Sequence, residues 1–153
     1  ILKAEPKESH LVIWPFKSEF EFPEAHRTLR LNQQEASLYT LILEYTYKHE
    51  GKGLPLCYTP AQKRIEALYR TIYCNKKCVD ESEVIYPENL APIRAKIERK
   101  MRDQLTGLSN LEDYIPHNDN RQGFYRIAAH VHNINVKADI REEEINLQDY
   151  DWR

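Results

Sequence analysis

The order of the periodic segments along the chain constrains its fold more than any single motif. The first thirty residues hold short apolar or alternating runs that are typical of β-strands, at residues 10–16, 18–22 and 26–31. Pro15 and Pro23 separate these runs. We therefore expect a short N-terminal antiparallel sheet of two or three strands, with one face on the core.

Three helical patterns follow the strands. The first starts after Asn32, a good N-cap residue, and Glu35 lies three places further on, as in a capping box. The second pattern covers residues 59–73 and opens on Thr-Pro, a typical helix start. The third lies within residues 89–105, "NLAPIRAKIERKMRDQL", where Pro92 moves the expected start of the regular helix to about Ala91.

After the third helix, "TGLSN" (106–110) predicts a turn. The residues that follow this turn predict a hairpin. One arm is expected to end at Ile115, the tip covers residues 116–123, and the return arm covers residues 124–136. A short sheet, then three helices, then a hairpin is the order of elements in an α+β winged-helix domain. The length of 153 residues suits one such domain. We expect that domain to cover residues 10–136.

The two ends of the chain carry separate expectations. Residues 137–153 are predicted to form an acidic C-terminal tail, since the last fifteen residues hold six acidic residues and two arginines. We expect this tail to be exposed, with a few apolar side chains gripping the domain. The chain begins at Ile1 rather than at Met, which favours a piece of a longer protein with an upstream domain.

Three stretches resemble the effector domains of the OmpR/PhoB family of response regulators. "LRLNQQEASLYTLI" (29–42) looks like the junction between strand and first helix, "ENLAPIRAKIERKMRDQL" (88–105) resembles the recognition helix, and "NRQGFYRI" (120–127) is similar to the wing. The resemblance implies a DNA-binding winged-helix domain that acts in transcription regulation. It also implies a recognition helix in the major groove, a wing on the neighbouring backbone and a receiver domain upstream.

The third helix and the wing supply the candidate DNA-binding residues. On a helical wheel the apolar side chains of the third helix form one stripe, and its basic side chains lie mostly outside that stripe. Lysine and arginine bind phosphates, and arginine can also read guanine edges. The candidate residues are Arg94, Lys96, Arg99, Lys100 and Arg102 on the helix, with Asn118, Asn120 and Arg121 on the wing.

A simpler interpretation is that the third helix is only a solvated face. Glu98 can pair with Arg102, and Arg99 with Asp103, four residues apart on the helix. The net charge of −2 also favours an alternative function, a winged-helix module for protein–protein contact without DNA binding. In that case the acidic tail or the N-terminal sheet would dock the protein partner.

No pattern predicts a cofactor, a metal site or an enzyme. Cys57, Cys74 and Cys78 lack the tight pairs and the fourth ligand of zinc sites, and an odd number of cysteines favours free thiols in the cytoplasm. His130 and His132 are expected side by side on one exposed strand face, without a third ligand. No known catalytic motif occurs. No apolar run approaches the ~20 residues that cross a membrane.

Overall fold

The N-terminal strands form one part of a five-stranded sheet. The computed structural model describes residues 7–15, 19–48, 54–55, 90–119, 124–137 and 143–150. The first three strands are β1 (Leu11–Trp14), β2 (Glu19–Phe22) and β3 (Arg27–Arg30), with a 3-10 turn at Pro23–Ala25 between the last two. β1 pairs with β2 and β2 pairs with β3, both antiparallel, as the sequence predicts. Alternate side chains, such as Ile13, Phe20 and Leu29, enter the core.

Helix α1 (Gln33–Lys48) follows β3 and is the central helix of the described fold. The predicted capping box is present: the Glu35 N–H donates to Asn32 Oδ1 at 2.8 Å, and the Asn32 N–H donates to Glu35 Oε1 at 3.0 Å. Most of α1 is buried on all sides, as expected of a helix that packs against several elements. The predicted second helix, residues 59–73, lies outside the described residues.

Helix α2 (Leu90–Gln104) is the predicted third helix. Its described range starts at Leu90, one residue before the predicted start near Ala91, and Pro92 lies in the first turn. Proline is tolerated there because the first N–H groups of a helix have no intrahelical acceptor. The predicted apolar stripe is buried, at Leu90, Ile93, Ile97, Met101 and Leu105. Through it α2 packs against α1 and β3.

The segment after α2 differs from the predicted hairpin arm. The turn is present, and Gly107 adopts a φ of 90°, a conformation that favours glycine. Residues 111–115, predicted as part of an arm, instead contain the short helix α3 (Leu111–Tyr114). Leu111 and Tyr114 are three residues apart, so one helical turn brings both to the core, where Tyr114 is fully buried.

The hairpin is present but shorter than predicted. Its strands are β5 (His117–Asp119) and β6 (Phe124–Arg126), paired antiparallel with His117 opposite Arg126. Strand β4 (Leu54–Pro55) pairs with the other edge of β6, which gives a second sheet of order β4-β6-β5. The Ile127 N–H donates to the buried Thr46 hydroxyl of α1 at 3.3 Å, which anchors the end of the hairpin.

The predicted return arm leaves the hairpin and enters the first sheet. After a 3-10 turn at Val131–Asn133, β7 (Ile134–Lys137) runs parallel to β1, and β8 (Glu144–Asn146) pairs antiparallel with β7. The sheet order is β3-β2-β1-β7-β8. Residues 143–150 are therefore part of the fold rather than an exposed tail, because Leu147 is fully buried in the core.

Two buried tyrosines join the helices to the N-terminal segment. The Tyr39 hydroxyl of α1 donates to the Tyr114 carbonyl at 2.6 Å, and the Tyr114 hydroxyl donates to the Ser9 carbonyl at 2.7 Å. Phe20 packs edge-on against Tyr39, and Phe22 against Tyr114, each with ring centroids 5.1 Å apart. Both sheets and the helices thus share one α+β core. Among the residues described, no helix has the length and apolarity needed to span a bilayer.

Candidate nucleic-acid interface

The exposed face of α2 changes character along the helix. Exposed small side chains lie at its start, up to Ala95, and exposed charged side chains follow from Lys96 onward. The exposed residues are Ala91, Pro92, Ala95, Lys96, Arg99, Arg102 and Asp103. This face lies opposite the buried stripe, so the core and the exposed side of the helix are separate, as a helix inserted in a groove requires.

Lys96 and Arg99 are the cations of this face that have no partner among the described residues. Both are exposed, and neither makes a hydrogen bond or an ion pair with any residue that the structure describes. They lie three residues apart, which places them on neighbouring positions of the same side of α2. These two predicted site residues are therefore available to an anionic ligand such as a phosphate backbone.

Arg94, by contrast, links α2 to the hairpin. Its guanidinium donates from Nη1 to Glu98 Oε1 at 2.8 Å and to the Pro116 carbonyl at 2.9 Å. The same group lies 5.9 Å from the centre of the Tyr125 ring on β6. Only 23% of the side chain is exposed. The structure thus gives this predicted DNA-binding residue partners inside the protein.

Lys100 also has an internal partner. Its ammonium group lies 2.5 Å from Oε1 of Glu35, which belongs to the capping box of α1 and is only 2% exposed. An unpaired carboxylate at that depth would be costly, so the lysine compensates for its burial. Lys100 therefore ties α2 to the start of α1.

Arg102 takes part in a third internal contact. It donates from Nε to Glu98 Oε2 at 3.2 Å and from Nη1 to Glu112 Oε1 at 2.8 Å. The hydrogen bond to Glu112, and then the one to Glu98, raise the pKa of Arg102. The predicted pair of Glu98 with Arg102 is confirmed. The predicted pair of Arg99 with Asp103 is not formed among the described residues.

Glu98 stands between these two arginines. Hydrogen bonds from Arg94 first, and from Arg102 second, lower the pKa of its carboxyl from the ordinary value of 4.5, against the opposing effect of partial burial. Each oxygen of the carboxylate accepts from a different guanidinium. Glu98 is therefore ionised at neutral pH and holds both arginines against α2.

The hairpin presents one predicted residue and one that the sequence pattern did not single out. Asn118 is exposed on β5, opposite Tyr125. Asn120 and Arg121, the other predicted wing residues, lie outside the described residues. Arg126 is exposed between the buried Tyr125 and Ile127. The alternation of apolar and polar residues through β6 is the signal that would have placed Arg126 on the outer face.

Two histidines follow the hairpin, His130 and His132, and both are exposed. They were predicted to lie on one face of a strand, but neither lies in a strand. They flank the start of the 3-10 turn at Val131–Asn133, and the His130 and His132 ring centres are 4.1 Å apart. Within the described part of the chain, no three histidine, cysteine or acidic side chains come together as metal ligands. Cys57, Cys74 and Cys78 lie outside it.

No family model, curated protein or solved structure matches this chain. The resemblance to OmpR/PhoB effector domains therefore remains a prediction from three sequence motifs. The residues described define a helix with an exposed basic face, fixed beside a short hairpin by Arg94.

Proposed function

We propose that this chain is a winged-helix domain that binds duplex DNA, as the effector part of a regulatory protein. Helix α2 would lie in the major groove and the β5–β6 hairpin would act as the wing. The order α1, β4, α2 and hairpin supports this proposal, as does the pairing of β4 with β6. The link from Arg94 to Pro116 keeps helix and hairpin side by side, as joint docking on DNA requires.

The observation that carries the proposal is that Lys96 and Arg99 are exposed and have no partner in the part of the chain that the structure describes. Cations without an internal partner lose little when they move to a phosphate, and they release counterions from DNA on binding. Ala91 and Ala95 add no bulk to the same exposed face, so the helix axis can approach the floor of the groove closely.

We assign the DNA contacts more narrowly than the sequence alone suggests. Lys96 and Arg99 would contact the phosphates, and Arg99 is the one of the two whose side chain can also read a guanine edge. From the hairpin, Arg126 would contact the backbone on the outer face, and Asn118 would contact it from the edge strand β5. Three further cations of α2 keep their partners within the protein and shape the surface instead: Arg94, Lys100 and Arg102.

A titration of labelled generic duplex DNA at several salt concentrations tests this function. Each phosphate contact contributes about −0.9 to the slope of log K against log salt. We expect binding at about 50 mM salt, with a slope of about −2 or steeper for two helix cations and any wing contacts. Absence of binding at that salt concentration would refute the proposal.

The second candidate function is a module for protein–protein contact. The specific observation in its favour is that Glu35, Glu98 and Glu112 already neutralise much of the positive charge of α2. The net charge of −2 also opposes non-specific attraction to DNA. If the folded protein does not bind duplex DNA at low salt, the result favours a protein partner.

A further inference from the structure

A chain of charged contacts runs from α2 to the segment that leads into the hairpin. Arg94 binds the Pro116 carbonyl directly before β5, and Arg102 binds Glu112 in α3. Glu98 joins the two arginines from the middle of α2. The contacts therefore hold residues 112–116 at two points, about two helical turns apart along α2.

We propose that Glu98 is a positioning residue that sets the angle of the β5–β6 hairpin relative to α2. The inference rests on the proposed function only for its consequence, which is that the hairpin and the exposed face of α2 reach DNA together. Glu98 itself does not contact DNA in this account. It orients Arg94 and Arg102, which in turn orient the hairpin.

The geometry of Arg94 shows why this carboxylate matters. One nitrogen, Nη1, serves both Glu98 and the Pro116 carbonyl, at 2.8 and 2.9 Å. The Glu98 oxygen thereby fixes the plane of the guanidinium at the point where it meets the hairpin. Without Glu98, Arg94 can rotate away from Pro116 and toward solvent, and Arg102 keeps only Glu112.

The proposal makes a prediction opposite in sign to simple electrostatics. Replacing Glu98 by glutamine removes one negative charge from the helix that faces DNA and leaves a single acceptor oxygen for two arginines. Attraction alone predicts tighter DNA binding by this variant. If Glu98 positions the wing, the variant binds more weakly, because the hairpin no longer reaches the backbone at the same time as α2.

Asp103→Asn provides the matched control for Glu98→Gln. Asp103 lies on the same helix, is exposed and makes no ion pair with the residues described. Its replacement therefore changes the charge of α2 without changing the position of the hairpin. In the DNA titration we expect Asp103→Asn to bind more tightly than the wild type. We expect Glu98→Gln to bind about two- to fivefold more weakly, the range of one exposed ion pair.

Amide hydrogen exchange of the free protein tests the same inference without DNA. We expect faster exchange at the backbone amides of β5 and β6 in Glu98→Gln and unchanged exchange in Asp103→Asn. If the wild type does not bind DNA, the proposed function fails, yet faster hairpin exchange in Glu98→Gln still supports the positioning role. Unchanged exchange in both variants overturns it, as does tighter DNA binding by Glu98→Gln.

Discussion

Lys100 of α2 places its ammonium group 2.5 Å from a carboxylate oxygen of Glu35, a residue of α1 that is only 2% exposed. Glu35 also closes the capping box with Asn32. One buried carboxylate therefore stabilises the start of the central helix and attaches the candidate recognition helix to it. Lys100 is therefore one of the cations of α2 that stabilise the fold, and it is not available to a ligand.

Removing the Lys100 charge is expected to cost stability. Lys100→Met keeps most of the aliphatic stem but leaves Glu35 without its cation, so we expect a loss of about 1–3 kcal/mol in the free energy of unfolding. Urea denaturation measures it. Lys96→Met is the control, since Lys96 is exposed and unpaired within the described structure, and it should change stability by less than about 0.5 kcal/mol. Equal effects of the two substitutions would contradict this role of Lys100.

The capping box gives a second prediction. Asn32→Ala removes the side-chain oxygen that accepts the Glu35 N–H, and we expect it to cost about 1 kcal/mol of unfolding free energy. Asn32→Ser retains a capping oxygen and should lie close to the wild type in the same urea experiment. A serine variant as unstable as the alanine variant would show that the cap is not the source of the loss.

The docking of the C-terminal segment can be tested at Leu147. This side chain is fully buried against the sheet, so Leu147→Ala should destabilise the protein by about 2–5 kcal/mol. Gln148→Ala changes the exposed neighbour and should have little effect. Thermal or urea unfolding distinguishes the two. A Leu147→Ala variant as stable as the wild type would mean that residues 143–150 do not contribute to the core.

The ion pairs of Glu98 predict a specific pH dependence. Its pKa is lowered from 4.5 in the folded protein, chiefly by the hydrogen bond from Arg94. A lowered folded pKa means that the stabilisation is complete above the unfolded value and is lost as the pH falls through the folded value. The stability difference between wild type and Glu98→Gln should therefore be constant near neutral pH and shrink below about pH 4.5. Urea midpoints of both proteins across this range measure the difference, and a difference that does not change down to about pH 3 would contradict the assignment.

Local signals predicted helices α1 and α2, but not the short helix α3. The cap at Asn32 and the apolar stripe from Leu90 to Met101 involve residues only three or four places apart, and both are present in the structure. The strands β1 to β3 likewise follow from their own alternation and from the prolines between them.

Long-range contacts explain where the sequence prediction differed from the structure. β7 pairs in parallel with β1, more than a hundred residues away, and no local pattern distinguishes that pairing from continuation of the hairpin. The site shows the same limit. Glu35 is 65 positions from Lys100, and Pro116 is 22 positions from Arg94, so a helical wheel displays both cations as available. Burial by distant segments decides which charges stay free.

The most direct test of the proposed function is charge reversal at Lys96 and Arg99, the cations of α2 that pair with no described residue. Lys96→Glu/Arg99→Glu should keep the stability of the wild type, since neither side chain has a partner among the described residues. The control Lys7→Glu/Arg30→Glu changes the net charge equally at exposed positions on the N-terminal segment and β3. We expect the first variant to lose binding to duplex DNA or to reduce the salt slope by about 2, and the control to bind nearly as the wild type does. Equal DNA affinity and equal salt slope for the two variants would contradict the account.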